Sequence, residues 1–194
     1  MNKNAFTLAE ILVTVLIIGV VAAMTVPSLI GDTNDKELVT GVQKANATLA
    51  NAIKLAETKH GPARFWGYTD AETHKFFQYI MLENMKFNKI CENKTGCLGD
   101  GKYYNKDGTQ YTSINAKGYG SPTSSAIGAD GITWIYDVNP NNNFHEFWAD
   151  VNGSNKGPNI IGIDMHRWYW YPNNQNFYPV SDTKNVLVTG QIDN

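Results

Sequence analysis

The sequence of 194 residues predicts an α+β protein, in which one long N-terminal helix packs on a small antiparallel β-sheet head. Three observations predict this class. Residues 5–30 form an apolar run, a helical repeat of apolar side chains continues as far as Ala56, and beyond residue 100 short runs rich in Tyr, Trp, Ile and Val alternate with turn residues. The net charge of −2 predicts no basic surface, so we expect no nucleic-acid partner.

The apolar run, AFTLAEILVTVLIIGVVAAMTVPSLI, contains one carboxylate, that of Glu10. The 21 positions between Glu10 and Asp32 carry no charge. At a rise of about 1.5 Å per residue they span roughly 31 Å, the depth of a bilayer core. An ionisable residue in such a span is costly unless a partner neutralises it, so Glu10 is a candidate functional residue. In a secretory signal the small-residue cleavage site follows the apolar core, whereas here Ala5 precedes it.

The segment FTLAEILVTVLIIGVVAAM strongly resembles the N-terminal processing and methylation segment of type IV pilins and type II secretion pseudopilins. The resemblance implies that residues 1–5 are a leader, that the bond between Ala5 and Phe6 is cleaved, that Phe6 is then N-methylated, and that Glu10 directs assembly. The chain departs from the family at Ala5, where most members have Gly. The resemblance also implies a pilin-like fold and a structural subunit of a type II secretion pseudopilus or type IV pilus-like filament.

The same resemblance implies the partners: other copies and related pilin-like subunits, a prepilin peptidase, an inner-membrane assembly platform with its ATPase, and membrane lipid. Lys3 predicts a cytoplasmic N-terminus and an extracytoplasmic head, so we expect a single-pass protein of the bacterial cell membrane that later enters a filament. The alternative is a plain single-pass anchor with Glu10 among the lipid headgroups, which would tether an extracytoplasmic binding module that does not polymerise. No nucleophile, phosphate-loop or metalloprotease motif occurs, so we do not expect an enzyme.

The helix is expected to have two parts, a membrane-spanning assembly segment at 6–30 and an amphipathic continuation at 31–61, followed by a globular head at 62–194. The polar residues at 31–35 can loosen the helix between the two parts. The continuation has a single apolar stripe with spacings of three and four, which we expect to lie on the sheet. Its members are Leu38, Val42, Ala45, Leu49, Ala52, Ile53 and Ala56. His60-Gly61-Pro62 is a helix stop.

A capping box at Thr69–Glu72 predicts a second, shorter helix that continues to Met85, with apolar side chains at Phe76, Phe77, Ile80 and Met81. Two hairpins are predicted, one around residues 105–108 and one with a two-residue turn at Asp130-Gly131. Further strands are predicted over the ranges 144–150, 160–168 and 186–190.

Cys91 and Cys97 enclose five polar or small residues, a spacing that suits a disulfide-closed loop in an oxidising compartment. Two free thiols are the alternative. No nearby His completes a zinc site.

The segment from Asp150 to Asp164 reads D-x-N-G, then K-G-P-N, then G-x-D, and it also resembles the pseudopilin head pattern. Asp150, Asn152, Ser154 and Asp164 supply hard oxygen ligands of the kind that calcium prefers, and several pseudopilins hold calcium in the head. Turn formation alone is the alternative, because Asx side chains commonly cap tight turns. We favour turn formation over a calcium site.

The run from His166 to Tyr178 is rich in Tyr and Trp. Filling of the core is the favoured interpretation, because alternate residues of a strand face inward. The other interpretation is an exposed surface for glycan or protein contact. His145 with Glu146, or His166 with Asp164, would form acid–base or metal pairs, but we expect these histidines to be hydrogen-bonded structural residues.

Overall fold

The computed structural model describes residues 7–66, 75–92, 94–115, 118–119, 124–139 and 144–192. Its contacts divide the chain into two compact units, Met1–Glu37 and Leu38–Asn194. Helix α1 (Leu8–His60) contributes to both units. The predicted α+β class is confirmed, because an apolar N-terminal helix precedes an antiparallel sheet in an arrangement consistent with a pilin-like fold.

Helix α1 ends at the predicted position. His60 is its last residue, and Gly61 follows in the left-handed region at φ 80°. The helix also continues through residues 31–35, which we expected to loosen it. A single Gly costs a helix only about 1 kcal/mol, and the long flanking turns outweigh this cost.

The head contains a six-stranded sheet in the order β1-β6-β7-β8-β9-β10, and every neighbouring pair is antiparallel. Its strands are β1 (Phe87–Glu92), β6 (Ser124–Gly128), β7 (Thr133–Asn139), β8 (Phe144–Asp150), β9 (Met165–Tyr171) and β10 (Asn176–Pro179). Two short ribbons accompany it, each formed by two strands. They pair β2 (Tyr103–Tyr104) with β3 (Gln110–Tyr111), and β4 (Ile114–Asn115) with β5 (Gly118–Tyr119).

The α1 stripe packs on one face of this sheet, as predicted. All seven stripe residues are buried in a single cluster with the inward-facing aromatic side chains of the strands. These side chains are Trp134, Tyr136, Phe147, Trp168 and Trp170. Asn46 of α1 accepts a hydrogen bond from the Trp168 indole nitrogen at 2.9 Å. Burial of the apolar stripe and of these large rings is the main contribution to the stability of the packing between α1 and the sheet.

Both predicted hairpins form, but the second has a longer turn than expected. Between β2 and β3, Gly108 has φ 83°. Between β6 and β7, the Gly128 amide donates to the Ile132 carbonyl at 2.8 Å, so three residues rather than two make the turn. Gly131 closes it at φ 88°, which is the three-residue hairpin built on a type I turn.

Two strand predictions are wrong in part or in whole. The strand expected at 160–168 begins only at Met165, because the Asp164 carboxylate accepts hydrogen bonds from the amides of Asn159 and Ile160 and folds that segment into a turn. The strand expected at 186–190 is instead the end of α2 (Ser181–Thr189).

Helix α2 carries signals that favour a helix over the predicted strand. Thr183 and Val186, one turn apart, are its buried residues, and Gly190 ends it in the left-handed region at φ 66°. The Gly190 amide donates to the Val186 carbonyl at 2.9 Å.

Of the predicted second helix, the capping box at Thr69–Glu72 lies outside the described residues. The described part is a π-helical turn, Phe77–Leu82, in which the Glu83 amide reaches the Gln78 carbonyl at 3.0 Å. Phe76, Phe77, Ile80 and Met81 are buried, as the apolar pattern predicts.

Candidate functional site

The first part of α1 is apolar on all sides. Over Leu8–Thr25 its mean hydropathy is 2.4, and every side chain in this range is exposed. The length and composition of this segment are sufficient to cross a membrane. Within the described residues, an apolar helix that leaves all of its side chains uncovered requires lipid or another apolar surface around it.

Glu10 lies in the first turn of α1 and is held there by Thr7. One Glu10 oxygen, Oε2, accepts bonds from both the amide and the hydroxyl of Thr7, each at 2.8 Å, and the Thr7 hydroxyl accepts the Glu10 amide at 3.3 Å. This reciprocal arrangement is a capping box. Sequence reasoning identified Glu10 and missed Thr7, although the T-x-x-E spacing was available in the sequence.

The geometry gives the Glu10 carboxylate two roles. Its Oε2 caps the helix, while its position near the helix start places a negative charge where the backbone N–H dipoles favour one. The predicted processing residues, Ala5 and Phe6, lie outside the described residues.

Cys91 and Cys97 form a disulfide, with their Cα atoms 6.0 Å apart. Cys91 belongs to β1, and Cys97 begins a segment that reaches across to the loop after β8. There the Ser154 hydroxyl donates to the Cys97 carbonyl at 2.8 Å. The disulfide therefore lies directly beside the Asp150–Asp164 loop.

Asp150 ends β8 and is completely buried. Its Oδ2 accepts a hydrogen bond from the Tyr103 hydroxyl at 3.1 Å. Asp164 is engaged differently, because its two oxygens accept the backbone amides of Asn159 at 2.7 Å and Ile160 at 2.6 Å. Asp164 therefore holds the turn through its backbone hydrogen bonds, whereas the Ser154 hydroxyl is engaged with the Cys97 carbonyl.

Burial, and after it the neighbouring Asp164 charge, raises the pKa of Asp150 to about 7. The hydrogen bond from Tyr103 acts in the opposite direction. Burial also raises the pKa of Asp164, against the lowering effect of its backbone amide donors. The loop thus holds a buried carboxylate that lacks a compensating cation among the described side chains it contacts.

Three side-chain oxygens of this loop are buried and have no hydrogen-bond partner among the described residues. They are Oδ1 of Asp150, Oδ1 of Asn152 and Oδ1 of Asn159. Sequence reasoning named Asp150 and Asn152 and missed Asn159, which belongs to the K-G-P-N turn. All three are hard oxygen donors, the ligand type that calcium prefers, and none of them is engaged by another described residue. Among the described residues, no group of three or more His, Cys, Asp or Glu side chains is suited to a metal.

The sheet separates the first of the histidine pairs considered from the sequence, His145 and Glu146. In β8, His145 is in contact with the Tyr136 hydroxyl at 2.7 Å on the α1 side, whereas Glu146 accepts the Trp148 indole N–H at 3.2 Å. Burial lowers the pKa of His145 to about 3. The structure therefore places His145 and Glu146 on opposite faces of one strand.

His166 is likewise a core residue. Its Nε2 lies 3.0 Å from the Ile163 carbonyl oxygen, and burial lowers its pKa to about 4. Its ring is neutral near pH 7 and bonds to the turn that precedes β9.

The aromatic run is divided between the two faces of the sheet. Trp168 and Trp170 are buried against α1, whereas Tyr169, Tyr171 and Tyr178 are half-buried on the other face. Filling of the core therefore describes half of the run, and surface placement describes the rest.

Comparison with known families identifies the N-terminal segment. Residues 1–26 match the prokaryotic N-terminal methylation motif, which supports a type IV pilin-like, prepilin-type N-terminal segment and a pilin-like or pseudopilin precursor. No curated protein and no solved structure matches the chain significantly. The apolar helix of this segment fits membrane anchoring of a pilin-like protein.

Proposed function

We propose that this chain is a structural subunit of a pilin-like filament, cleaved between Ala5 and Phe6 by a prepilin peptidase and N-methylated at Phe6. One observation carries the proposal: the segment that matches the methylation motif includes an apolar helix whose described side chains are all exposed and which contains a single carboxylate, Glu10. Lipid covers such a helix before assembly, and the helices of other copies cover it within a filament.

Glu10 supplies the selectivity of assembly in this proposal. Cleavage creates a charged amine on Phe6, and both that amine and the Glu10 carboxylate are costly to bury alone. The carboxylate of a resident subunit neutralises the amine of an incoming one. Among the described residues only Oε2 of Glu10 is engaged, by Thr7, so in this proposal the second oxygen binds that amine.

We assign the filament to a type II secretion pseudopilus rather than a type IV pilus. The D-x-N-G, K-G-P-N and G-x-D segments of the head support this assignment, since they resemble the pseudopilin pattern. The Cys91–Cys97 disulfide supports an extracytoplasmic head. An assembly platform and its ATPase supply the work of extraction from the membrane.

Mass spectrometry of the mature N-terminus tests processing. We expect a chain that begins with N-methylated Phe6 in cells with a prepilin peptidase, and an intact leader in cells without one. An intact Met1 in both strains would instead support the membrane-tethered binding module that does not polymerise.

We also propose a calcium ion in the loop after β8, held by the three oxygens of Asp150, Asn152 and Asn159 that lack partners among the described residues. The ion would neutralise the buried Asp150 charge and brace the loop. Calcium should raise the thermal unfolding temperature relative to EGTA, by an amount that grows with its concentration, and magnesium should not.

Two variants make the calcium test specific. Asp150→Asn should abolish the calcium-dependent shift, whereas Asp107→Asn, which changes an exposed carboxylate in the β2–β3 turn, should leave it unchanged. A shift that persists in Asp150→Asn, or no shift at millimolar calcium, would leave the turn interpretation in place.

A further inference from the structure

Four aromatic rings lie side by side on the sheet face opposite α1. They belong to Phe144 of β8, Tyr169 and Tyr171 of β9, and Tyr178 of β10, and we name them the aromatic face. Phe144 lies 5.1 Å from Tyr169 and 5.4 Å from Tyr171, measured between ring centroids. Tyr178 lies 5.9 Å from each of the two β9 tyrosines and stacks on Tyr171. All four rings are half-buried, so each presents part of its surface to solvent.

The chain itself covers the other part of the same sheet face. There Ile135, Trp148 and Met165 are buried in a second cluster beneath Leu98, Tyr103 and Ile114. The aromatic face belongs to neither buried cluster. It extends over three adjacent strands, about 10 Å across, and along β9 by about 7 Å. Among the described residues, one end of the sheet face is therefore closed by the fold, and the other end is left partly exposed.

The charges at the aromatic face cancel. Glu146, which is 5% exposed, accepts hydrogen bonds from the Trp148 indole and the Tyr169 hydroxyl. The Arg167 guanidinium lies over the same two rings, 4.7 Å from that of Trp148 and 5.0 Å from that of Tyr169, and its charge opposes that of Glu146. These residues therefore offer no unpaired charge that would attract a cationic or an anionic ligand.

Apart from Glu146 and Arg167, the polar groups described at this surface are neutral. Three of the four rings carry hydroxyls, and the turn between β9 and β10 adds exposed amide side chains. These amides are Asn174, Gln175 and Asn176.

From this arrangement we propose that the aromatic face binds a neutral polysaccharide chain. The apolar C–H faces of sugar rings lie on the aromatic rings, and sugar hydroxyls bond to the tyrosine hydroxyls and to the turn amides. Complementarity of charge selects a neutral glycan over an anionic polymer. This binding site is separate from Glu10 and does not depend on filament formation.

Isothermal titration of the full-length protein tests the proposal. The protein is purified in a detergent without sugar groups, and the probes are cellohexaose and chitohexaose, with a polygalacturonate hexamer as the anionic probe. Tyr178→Ala and Tyr171→Ala each remove one ring, and Tyr178→Phe removes only a hydroxyl. Phe65→Ala is the matched control, because it removes a ring that is 73% exposed and lies outside the aromatic face.

We expect at least one neutral hexamer to bind, both alanine variants to bind it about fivefold to tenfold more weakly, and Phe65→Ala to bind it as the wild type does. Tyr178→Phe should retain most of the affinity, which also controls for misfolding of the alanine variants. Three outcomes would overturn the proposal: no binding of either neutral probe, stronger binding of the polygalacturonate hexamer, or equal affinity in the alanine variants. Loss of self-association in Tyr178→Ala without glycan binding would instead identify the face as a contact between copies.

Discussion

Two parts of one helix have opposite relations to their surroundings. In residues 38–56 of α1, an apolar stripe is buried against the sheet, and the remaining side chains are largely polar. In residues 8–25, apolar side chains cover the helix on every side, and all of them are exposed. A stripe indicates one apolar neighbour, whereas an all-round apolar surface indicates an apolar medium. The second part of the helix therefore stabilises the head, and the first part presents an apolar surface that no described side chain covers.

Carboxylates also have different surroundings in the two parts of the molecule. Glu10 is exposed on the apolar segment and capped by Thr7, whereas Asp150 is buried in the head. The first is expected to matter for assembly and the second for stability of the fold. All five tryptophans lie between residues 66 and 170, so their fluorescence reports unfolding of the head alone.

Glu10→Gln should give the largest effect. It removes one member of the proposed buried ion pair, a change that typically costs about 3–5 kcal/mol, so the yield of sheared filaments should fall by more than about tenfold. Tryptophan fluorescence should show an unchanged head. Glu37→Gln, at an exposed carboxylate of the same helix, is the control and should leave filament yield unchanged. Equal yields for the two variants would refute the assembly role of Glu10.

A pair of leucine truncations compares the two parts directly. Leu49 is 0% exposed in the head core, and Leu16 is 67% exposed in the first part of α1. Leu49→Ala should lower the free energy of unfolding of the head by about 2–5 kcal/mol, because it removes buried contacts and leaves a cavity. Leu16→Ala should leave that free energy unchanged. Urea unfolding followed by tryptophan fluorescence measures both, and similar losses in the two variants would contradict the comparison.

The buried charge of Asp150 predicts a pH dependence in EGTA. The unfolded carboxyl titrates near pH 4 and the folded one near pH 7, so the native state binds more protons between these values and the free energy of unfolding falls as pH rises. Asp150→Asn removes this loss. The variant should therefore be more stable than the wild type by an amount that grows from pH 4 to pH 7, reaching on the order of 2–4 kcal/mol above pH 7.

Measuring the difference between variant and wild type isolates Asp150 from the buried histidines. His145 and His166 have lowered pKa values, so they reduce stability as pH falls below about 6.5, in both proteins alike. A difference that does not change with pH would show that Asp150 is not the titrating group.

Local sequence patterns correctly predicted the elements whose conformation depends mainly on neighbouring residues. The α1 stripe, its stop at His60, strand β8 and the apolar side of the π-helical segment follow from periodicity and from turn residues. The first turn of α1 contained a readable signal that was not used, the T-x-x-E spacing of Thr7 and Glu10.

The errors arose where tertiary contacts or side-chain bonds compete with propensity. Val186 and its β-branched neighbours favour a strand, but the left-handed Gly190 ends a helix that buries Val186 in the core. The Asp164 carboxylate accepts hydrogen bonds from backbone amides and bends the Ile-rich start of the predicted 160–168 strand into a turn. Strand propensity does not take such a side-chain hydrogen bond into account. Asn159 was not identified from the sequence, because only the folded turn between β8 and β9 shows that its Oδ1 is buried without a partner among the described residues.

Two glycine substitutions compare the same two parts of α1, with smaller expected changes in the free energy of unfolding. At Gly41 an added Cβ would lie 2.9 Å from the Val151 Cβ, whereas at Gly19 nothing lies within 4 Å. Gly41→Ala should destabilise the head by about 1–3 kcal/mol despite the better helix propensity of Ala. Gly19→Ala should have no effect on the head. In the double variant with Val151→Ala much of the loss should be recovered, and thermal unfolding measures each case. An unchanged melting temperature in Gly41→Ala would show that the helix does not need this close approach.

The cap of α1 should give the smallest effect. Thr7→Ala removes the hydroxyl that bonds Glu10, which costs about 1 kcal/mol of helix stability and frees the carboxylate to leave its position. Filament yield should therefore fall by a few-fold, less than in Glu10→Gln, and Thr7→Ser should restore it because Ser caps equally well. Thr14→Ala is the control, since that hydroxyl bonds only the Ile11 carbonyl. If Thr7→Ala and Thr14→Ala reduce the filament yield equally, the reduction comes from removing a polar hydroxyl from the segment and not from moving Glu10. In that case the first part of α1 would act through its apolar surface alone.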